Sequence, residues 1–95
     1  MARRRYLVAY DITDTVRLRR MIKVMEGFGD RVQYSVFVCD LSDRELILWR
    51  TAVEDVMNLA QDSVLRIDLG DASRPASIEQ IGRRRELPRS GPAIL

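Results

Sequence analysis

The chain has 95 residues, a net charge of +2, one cysteine and no histidine. A single cysteine excludes an intrachain disulfide, and the lack of histidine excludes histidine-based acid–base catalysis and histidine-ligated zinc. No apolar run approaches the roughly 20 residues that span a membrane, so we expect a cytoplasmic protein without membrane contact. Any catalysis must therefore use carboxylates, a hard metal ion, Tyr, Ser, Arg or Lys.

Charge is unevenly distributed along the chain. Residues 1–20 carry six arginines against two aspartates, whereas residues 40–72 carry three arginines against eight acidic residues. Residues 73–95 are basic again, with five arginines against two glutamates. Basic ends are typical of a phosphate-binding surface, although an arginine-rich composition without any such function gives the same pattern.

The first part of the chain predicts a strand followed by a helix. Residues 5–12 are nearly all apolar, which is typical of a central strand buried on both faces. Thr13 or Asp14 can cap the helix that follows, and Gly27 and Gly29 are expected to end it. Apolar residues at helical spacing define its buried face: Leu18, Met21, Ile22, Met25 and Phe28.

The middle of the chain predicts further strands and a second helix. Residues 31–41 favour either one long strand or two short strands with a break near Tyr34–Ser35. Ser42 and Glu45 have the spacing of a capping box, so a helix is expected from there to about residue 60. Its predicted buried stripe is Leu46, Trp49, Val53, Val56, Met57 and Ala60. The strand predicted next alternates, with three residues expected to point into the core: Leu65, Ile67 and Leu69.

This order of elements predicts an α+β fold of the ferredoxin-like, split βαβ kind, with two helices on one face of a mainly antiparallel sheet. Residues 77–81 are expected to add a short last strand. The domain is predicted to cover residues 1–81, and residues 82–95 to form a basic mobile tail that contains proline and glycine. The helices leave the other sheet face uncovered, and a homodimer packed sheet on sheet would cover it.

Asp11 is the candidate functional residue because it ends the apolar strand where Thr13 and Asp14 already suffice as caps. A simple role as a loop or capping acid is the alternative. One carboxylate alone is a poor metal site, but Mg²⁺ commonly takes one or two carboxylates together with water and phosphate oxygens. Two copies of Asp11 facing each other across a dimer axis would suit such an ion, and nearby arginines would hold nucleic-acid phosphates.

Three motifs together resemble the small CRISPR-associated endoribonuclease family, the compact subunits of the CRISPR adaptation machinery. These are YDITD at residues 10–14, the arginines that follow it, and RVQYSVFVCDL at residues 31–41. The resemblance implies a ferredoxin-like homodimer in which residues 77–81 add to the partner's sheet. It also implies Mg²⁺-dependent cleavage of single-stranded RNA or duplex DNA, and bridging of two dimers of the CRISPR integrase subunit during spacer insertion, a step in antiviral defence.

The same resemblance implies roles for individual residues. Asp11 would be the catalytic metal ligand, shared across the dimer. The implied nucleic-acid-binding residues are Arg17, Arg19, Arg20 and Arg31, and the implied supporting residues are Tyr10 and Phe37. The chain departs from the family at Val38, where many members carry an acid directly after SVF. That departure would make this chain a weaker enzyme if the acid contributes to the metal site.

Other functions stay open. The same fold would suit a non-catalytic scaffold that holds DNA, a toxin-type ribonuclease, or a regulatory module that binds a small ligand. Tyr10 and Tyr34 could position a phosphate or stack on a base, although packing within the sheet is the commoner role for such residues. The sequence contains no phosphate-cradling GxxxxGK loop and no aromatic pair of the kind used by RNA-recognition sheets.

Overall fold

The computed structural model describes residues 2–75 and 77–83. Its elements in chain order are β1 (Arg4–Asp11), α1 (Thr15–Glu26), β2 (Asp30–Gln33), β3 (Val36–Leu41), α2 (Asp43–Val56) and β4 (Ser63–Asp71). Within the described residues, no helix is both long enough and apolar enough to cross a membrane. Residues 84–95 of the expected tail lie outside the described part of the chain, so the mobile tail stays a prediction.

The four strands form one antiparallel sheet in the order β2-β3-β1-β4. β1 is a central strand, as its apolar sequence predicts, and its Val8 pairs with Phe37 of β3 and Arg66 of β4. β2 and β3 are joined by a turn at Tyr34 and Ser35, so two short strands is the correct alternative for this segment. With two helices added to this sheet, the predicted α+β fold is confirmed.

Both helices pack against one face of the sheet and form the core there. Alternate residues of β1 reach this face, because successive side chains of a strand point to opposite sides. The buried residues of the core are Tyr6, Val8, Tyr10, Met21, Met25, Phe37, Cys39, Leu41, Trp49, Val53 and Val56. Within it, the indole Nε1 of Trp49 donates a hydrogen bond to Met25 Sδ at 3.4 Å.

The predicted helix starts are confirmed. The Asp14 carboxylate accepts a hydrogen bond from the backbone N of Arg17 at 2.9 Å. Ser42 and Glu45 form a reciprocal capping box. α2, however, ends at Val56 rather than near residue 60, because the chain turns there: the backbone N of Asp62 donates to Asn58 O at 2.8 Å. Ala60 is consequently exposed, not buried as predicted.

The orientation predicted for β4 is wrong. Leu65, Ile67 and Leu69 are 56%, 43% and 44% exposed and do not point into the core. β4 pairs Leu65 with Ala9 and Ile67 with Leu7, and these β1 residues alternate with the ones that face the helices. The period of two identifies an apolar set of residues but does not say which side of the sheet that set faces.

Residues 77–81 do not form the predicted last strand. The Arg5 guanidinium donates to the carbonyl oxygens of Ala72 at 3.2 Å and Arg74 at 3.0 Å, and so holds the turn after β4 against the sheet. The chain then runs over the face opposite the helices, where Gln80 Nε2 donates to Val32 O. The bond to the edge strand β2 comes from the Gln80 side chain and not from its backbone, so the segment forms no ladder with β2.

Candidate nucleic-acid and metal site

Asp11 lies at the end of β1 with its side chain exposed. Since Tyr10 faces the helices, the Asp11 side chain points to the opposite, open face of the sheet. Asp11 pairs with Ser63 at the start of β4 on one side. On the other side the backbone N of the preceding residue, Tyr10, donates to Ser35 O of the β2–β3 turn at 3.1 Å. Asp11, the start of β4 and the β2–β3 turn therefore share one end of the sheet.

The two predicted supporting residues belong to the core. Tyr10 is 6% exposed and Phe37 is completely buried, with ring centroids 6.2 Å apart. The Tyr10 hydroxyl donates to Tyr34 O at 3.2 Å, and burial raises the pKa of this phenol. Both rings lie on the helix side of the sheet, so neither can touch a ligand on the open face. Their structural effect is to anchor the β2–β3 turn beside Asp11.

Arg17 is engaged inside the protein. Its Nε donates to Asp62 Oδ2 at 2.8 Å, and its Nη2 donates to Asp62 Oδ1 at 3.2 Å and Gln61 Oε1 at 3.1 Å. The Asp62 side chain is 0% exposed and that of Arg17 is 23% exposed. A guanidinium that neutralises a buried carboxylate is not free to bind a phosphate without uncovering that charge. We therefore assign Arg17 a structural role, whereas the resemblance implied a nucleic-acid contact.

Asp62 is the residue near the site that sequence reasoning missed. Its carboxylate also accepts from the backbone N of Thr13 at 3.2 Å and of Asn58 at 2.9 Å. It thus ties the loop after Asp11 to the loop before β4. The Arg17 hydrogen bond is the largest cause that holds the pKa of Asp62 well below its usual range. The local sequence does not predict the Arg17 bond, because Arg17 and Thr13 lie more than forty positions from Asp62 along the chain.

Arg31 is also partly committed within the chain. Its Nε donates to Tyr34 O at 3.0 Å. Its guanidinium carbon lies 5.3 Å from the ring centroid of Tyr34 and 5.9 Å from that of Phe37. The side chain thus lies between a buried ring and an exposed one, and it supports the turn. It remains partly exposed, so its positive charge still contributes to the potential near Asp11.

Arg19 and Arg20 are the implied phosphate-binding residues that remain available. Both are exposed on α1, and within residues 2–75 and 77–83 neither has an ion pair. Lys23, also exposed, follows Arg19 and Arg20 by one helical turn. Because only three residues separate the end of β1 from the start of α1, the first turn of α1 lies at the end of the sheet that carries Asp11.

The residues present fit a magnesium ion only in part. In the described portion of the chain, no group of three or more His, Cys, Asp or Glu side chains is positioned to hold a metal. Asp11 alone offers one exposed carboxylate, which matches the one or two that Mg²⁺ takes with water and phosphate oxygens. Val38 is 1% exposed and adds no ligand. Within the described residues, one chain therefore offers a single carboxylate at this strand end.

The fold and this strand-end site define a small α+β protein of the split βαβ class. The family model for CRISPR associated protein Cas2 matches residues 4–75. A Geobacter sulfurreducens protein named CRISPR-associated endoribonuclease Cas2 is 40% identical over 79 residues, which cover 82% of this chain and 83% of the relative. A Thermus thermophilus relative named CRISPR-associated endonuclease Cas2 2 is 39% identical over 64 residues, or 67% of this chain and 71% of that one.

Solved structures agree with these sequence matches. The Streptococcus pyogenes Cas2 crystal structure superposes with a TM-score of 0.65 at 30% identity and covers 70% of this chain and 86% of that chain. A hypothetical protein from Thermus thermophilus gives a TM-score of 0.78, also at 30% identity, with 90% and 99% covered. The chain belongs to the Cas2 family, and the resemblance found in its motifs is confirmed. Its relatives are named nucleases, so this is a family of CRISPR-associated nucleases.

The contacts of Asp62 predict a specific acid sensitivity. Asp62→Asn removes the negative charge that neutralises Arg17 in a buried place, so we expect the melting temperature at pH 7 to fall by roughly 10 °C. The folded-state pKa of Asp62 lies below its unfolded value of about 4. Its stabilisation is therefore present above pH 4 and is lost as the pH falls through the folded-state pKa. Melting curves from pH 7 to pH 2 measure this.

Glu54→Gln is the matched control, because Glu54 pairs with Arg50 at 3.8 Å on the exposed surface of α2. Its melting temperature should stay within about 2 °C of the wild type, since exposed pairs contribute little. The Asp62→Asn protein should lose less stability than the wild type on acidification. Equal stability of the two variants at pH 7 would show that Arg17 does not depend on Asp62.

Proposed function

We propose that this chain is a CRISPR adaptation subunit that binds nucleic acid as a homodimer and hydrolyses phosphodiester bonds with Mg²⁺. The observation that carries the proposal is the position of Asp11: an exposed carboxylate at the end of a central strand. The exposed arginines of α1 follow it within ten residues along the chain. Its relatives are named endoribonuclease or endonuclease, which supports cleavage within a nucleic-acid chain. Single-stranded RNA and duplex DNA are the substrates that we propose. Bridging of integrase dimers belongs to the same proposal.

Each side chain would have a distinct role. Asp11 would hold the ion, and its exposure leaves room for water and a phosphate oxygen beside it. When bound, Mg²⁺ would supply an activated water and neutralise charge on the phosphate. Arg19 and Arg20 would hold the flanking phosphates, since both guanidinium groups are exposed. Tyr10 and Arg17 would act indirectly, through the turn and the loop that border Asp11.

The proposal of a homodimer rests on the open face of the sheet. Leu65, Ile67 and Leu69 form an exposed apolar row along β4. Asp11 lies on the same face, because it continues the β1 positions that pair with this row. A second copy packed on this face would bury the row and bring a second Asp11 towards the first. The two-carboxylate metal site would then form only on assembly.

A non-catalytic scaffold that holds duplex DNA is the second candidate. The observation in its favour is that, among the described residues, one chain offers a single carboxylate, with the buried Val38 where the family resemblance implies an acid. Such a scaffold would need the arginines of α1 and the dimer, but not Asp11. The two candidates thus differ in what they predict for one substitution.

Asp11→Asn tests the nuclease directly. We expect wild-type protein to cleave labelled single-stranded RNA or duplex DNA in Mg²⁺ and not in chelator. The cleavage rate of the variant should be at least about 100-fold lower than that of the wild type, because the substitution removes the proposed metal ligand. Asp55→Asn, at an exposed carboxylate on α2, should cleave like the wild type. If neither wild type nor variant cleaves but both bind duplex equally, the scaffold is the correct function.

Salt dependence tests the arginines of α1. The double variant Arg19→Ala/Arg20→Ala should bind duplex DNA more weakly. The slope of its log association constant against log salt concentration should be smaller in magnitude by about 1 to 2. The matched control is Arg44→Ala/Arg50→Ala on α2, which should keep the wild-type slope. Fluorescence anisotropy titrations at roughly 50 to 300 mM salt would measure the slope for each protein, because such slopes are resolved in about that range. Identical slopes for all three proteins would exclude this contact.

Sedimentation measures the proposed dimer. Ile67→Glu places a charge in the apolar row of the open face, so we expect a monomer at concentrations where the wild type is a dimer. Ile47→Glu is the control, since Ile47 is 67% exposed on α2, outside the proposed interface. It should leave the dimer intact. If the Ile67→Glu variant is still a dimer, the interface does not include the apolar row of β4.

A further inference from the structure

Tyr34 is the one aromatic residue among the described residues whose side chain is exposed, at 66%. It lies in the two-residue turn between β2 and β3, and it does not pack into the sheet as tyrosines usually do. A large ring in water at a tight turn adds nothing to the core. The ring is therefore available for a contact outside the chain.

The ring is supported from one side only. The Arg31 guanidinium carbon lies 5.3 Å from the Tyr34 ring centroid and 5.9 Å from that of the buried Phe37. Arg31 thus fills the space between the core and one face of the Tyr34 ring. Two donors, Arg31 Nε and the Tyr10 hydroxyl, fix the Tyr34 carbonyl oxygen at 3.0 and 3.2 Å. The backbone below the ring is held, and the residue is 66% exposed. The face of the ring turned away from Arg31, its open face, is the one left for a contact outside the chain.

The turn that carries this ring lies beside the end of β1, where Asp11 is located. The backbone N of Tyr10 donates to Ser35 O at 3.1 Å, so the turn adjoins the last two residues of β1. In nucleic acids each base is joined to its own phosphate through a single sugar. A strand whose phosphate lies at Asp11 would therefore have a base within reach of the turn. An aromatic ring backed by a guanidinium offers a stacking surface for it.

We propose that the open face of Tyr34 stacks on an unpaired nucleobase and so favours single-stranded over duplex nucleic acid at this site. The inference rests on the proposed nucleic-acid function and adds a base contact to it. Bases inside a duplex are covered on both faces by their neighbours and have no free face for the ring. Every base has a face that can stack on an aromatic side chain. The contact therefore distinguishes single strands from duplexes but does not distinguish one base sequence from another.

Two probes test this: single-stranded RNA that carries one 2-aminopurine, and duplex DNA of the same length. Tyr34→Ala should weaken binding of the RNA roughly tenfold and leave binding of the duplex within about twofold. The Tyr34→Ala variant should also no longer quench the 2-aminopurine fluorescence. Tyr34→Phe keeps the ring and should retain both the affinity and the quenching. Melting curves confirm that each variant is folded, which is expected because the supporting bonds reach the backbone carbonyl.

Ile47→Ala is the matched control, since Ile47 is 67% exposed and lies on α2, far from the turn. It should change neither affinity. If Tyr34→Ala weakens RNA and duplex equally, or weakens neither, the stacking contact is wrong while the proposed function stands. If the wild-type protein binds neither probe, the proposed function and this inference both fail. If sedimentation shows that Tyr34→Ala dissociates a wild-type dimer, the ring is a subunit contact and the inference is overturned.

Discussion

The alternation of β1 is the constraint on which the rest of the structure depends. This strand has a neighbour on each side, so its residues must satisfy two sheet faces at once. Tyr6, Val8 and Tyr10 fill the helix side, and that choice sends Arg5 and Asp11 to the other side. A shift of one residue would bury both charges under the helices. The exposed carboxylate is therefore held in place by the packing of the strand that carries it.

The arginines show how little net charge says about a binding surface. The chain is basic at its start, yet Arg3, Arg4 and Arg5 each pair with an acidic residue, and Arg17 pairs with the buried Asp62. These pairs connect segments far apart in sequence. They raise the pKa of each guanidinium, so the charges are permanent but largely neutralised locally. Arginines without such partners, Arg19 and Arg20 among them, are the ones that can neutralise phosphates and displace their counterions.

Local patterns in the sequence predict the elements well, because their causes are local. The apolar run of β1, the cap at Asp14 and the capping box at Ser42 each depend on residues within a few positions. The two-residue period of a strand does not predict which side of the sheet its apolar residues face. For β4 the period therefore predicts the wrong side. The bond of Arg17 to Asp62 and the path of residues 77–81 depend on contacts between distant segments, which no local pattern contains.

The misassigned residues of β4 are also the most informative ones about assembly. Three large apolar side chains exposed along one edge strand are costly in water. Residues 77–79 line a cavity together with Leu69, yet all three side chains of the row stay exposed. Asp11 lies on the same face of the sheet and supplies only one carboxylate. A single chain thus leaves apolar surface uncovered and offers one carboxylate where the proposed magnesium site would use two. Under the proposed homodimer, one two-fold contact would bury the apolar row and bring two copies of Asp11 together, so one interface would account for both features.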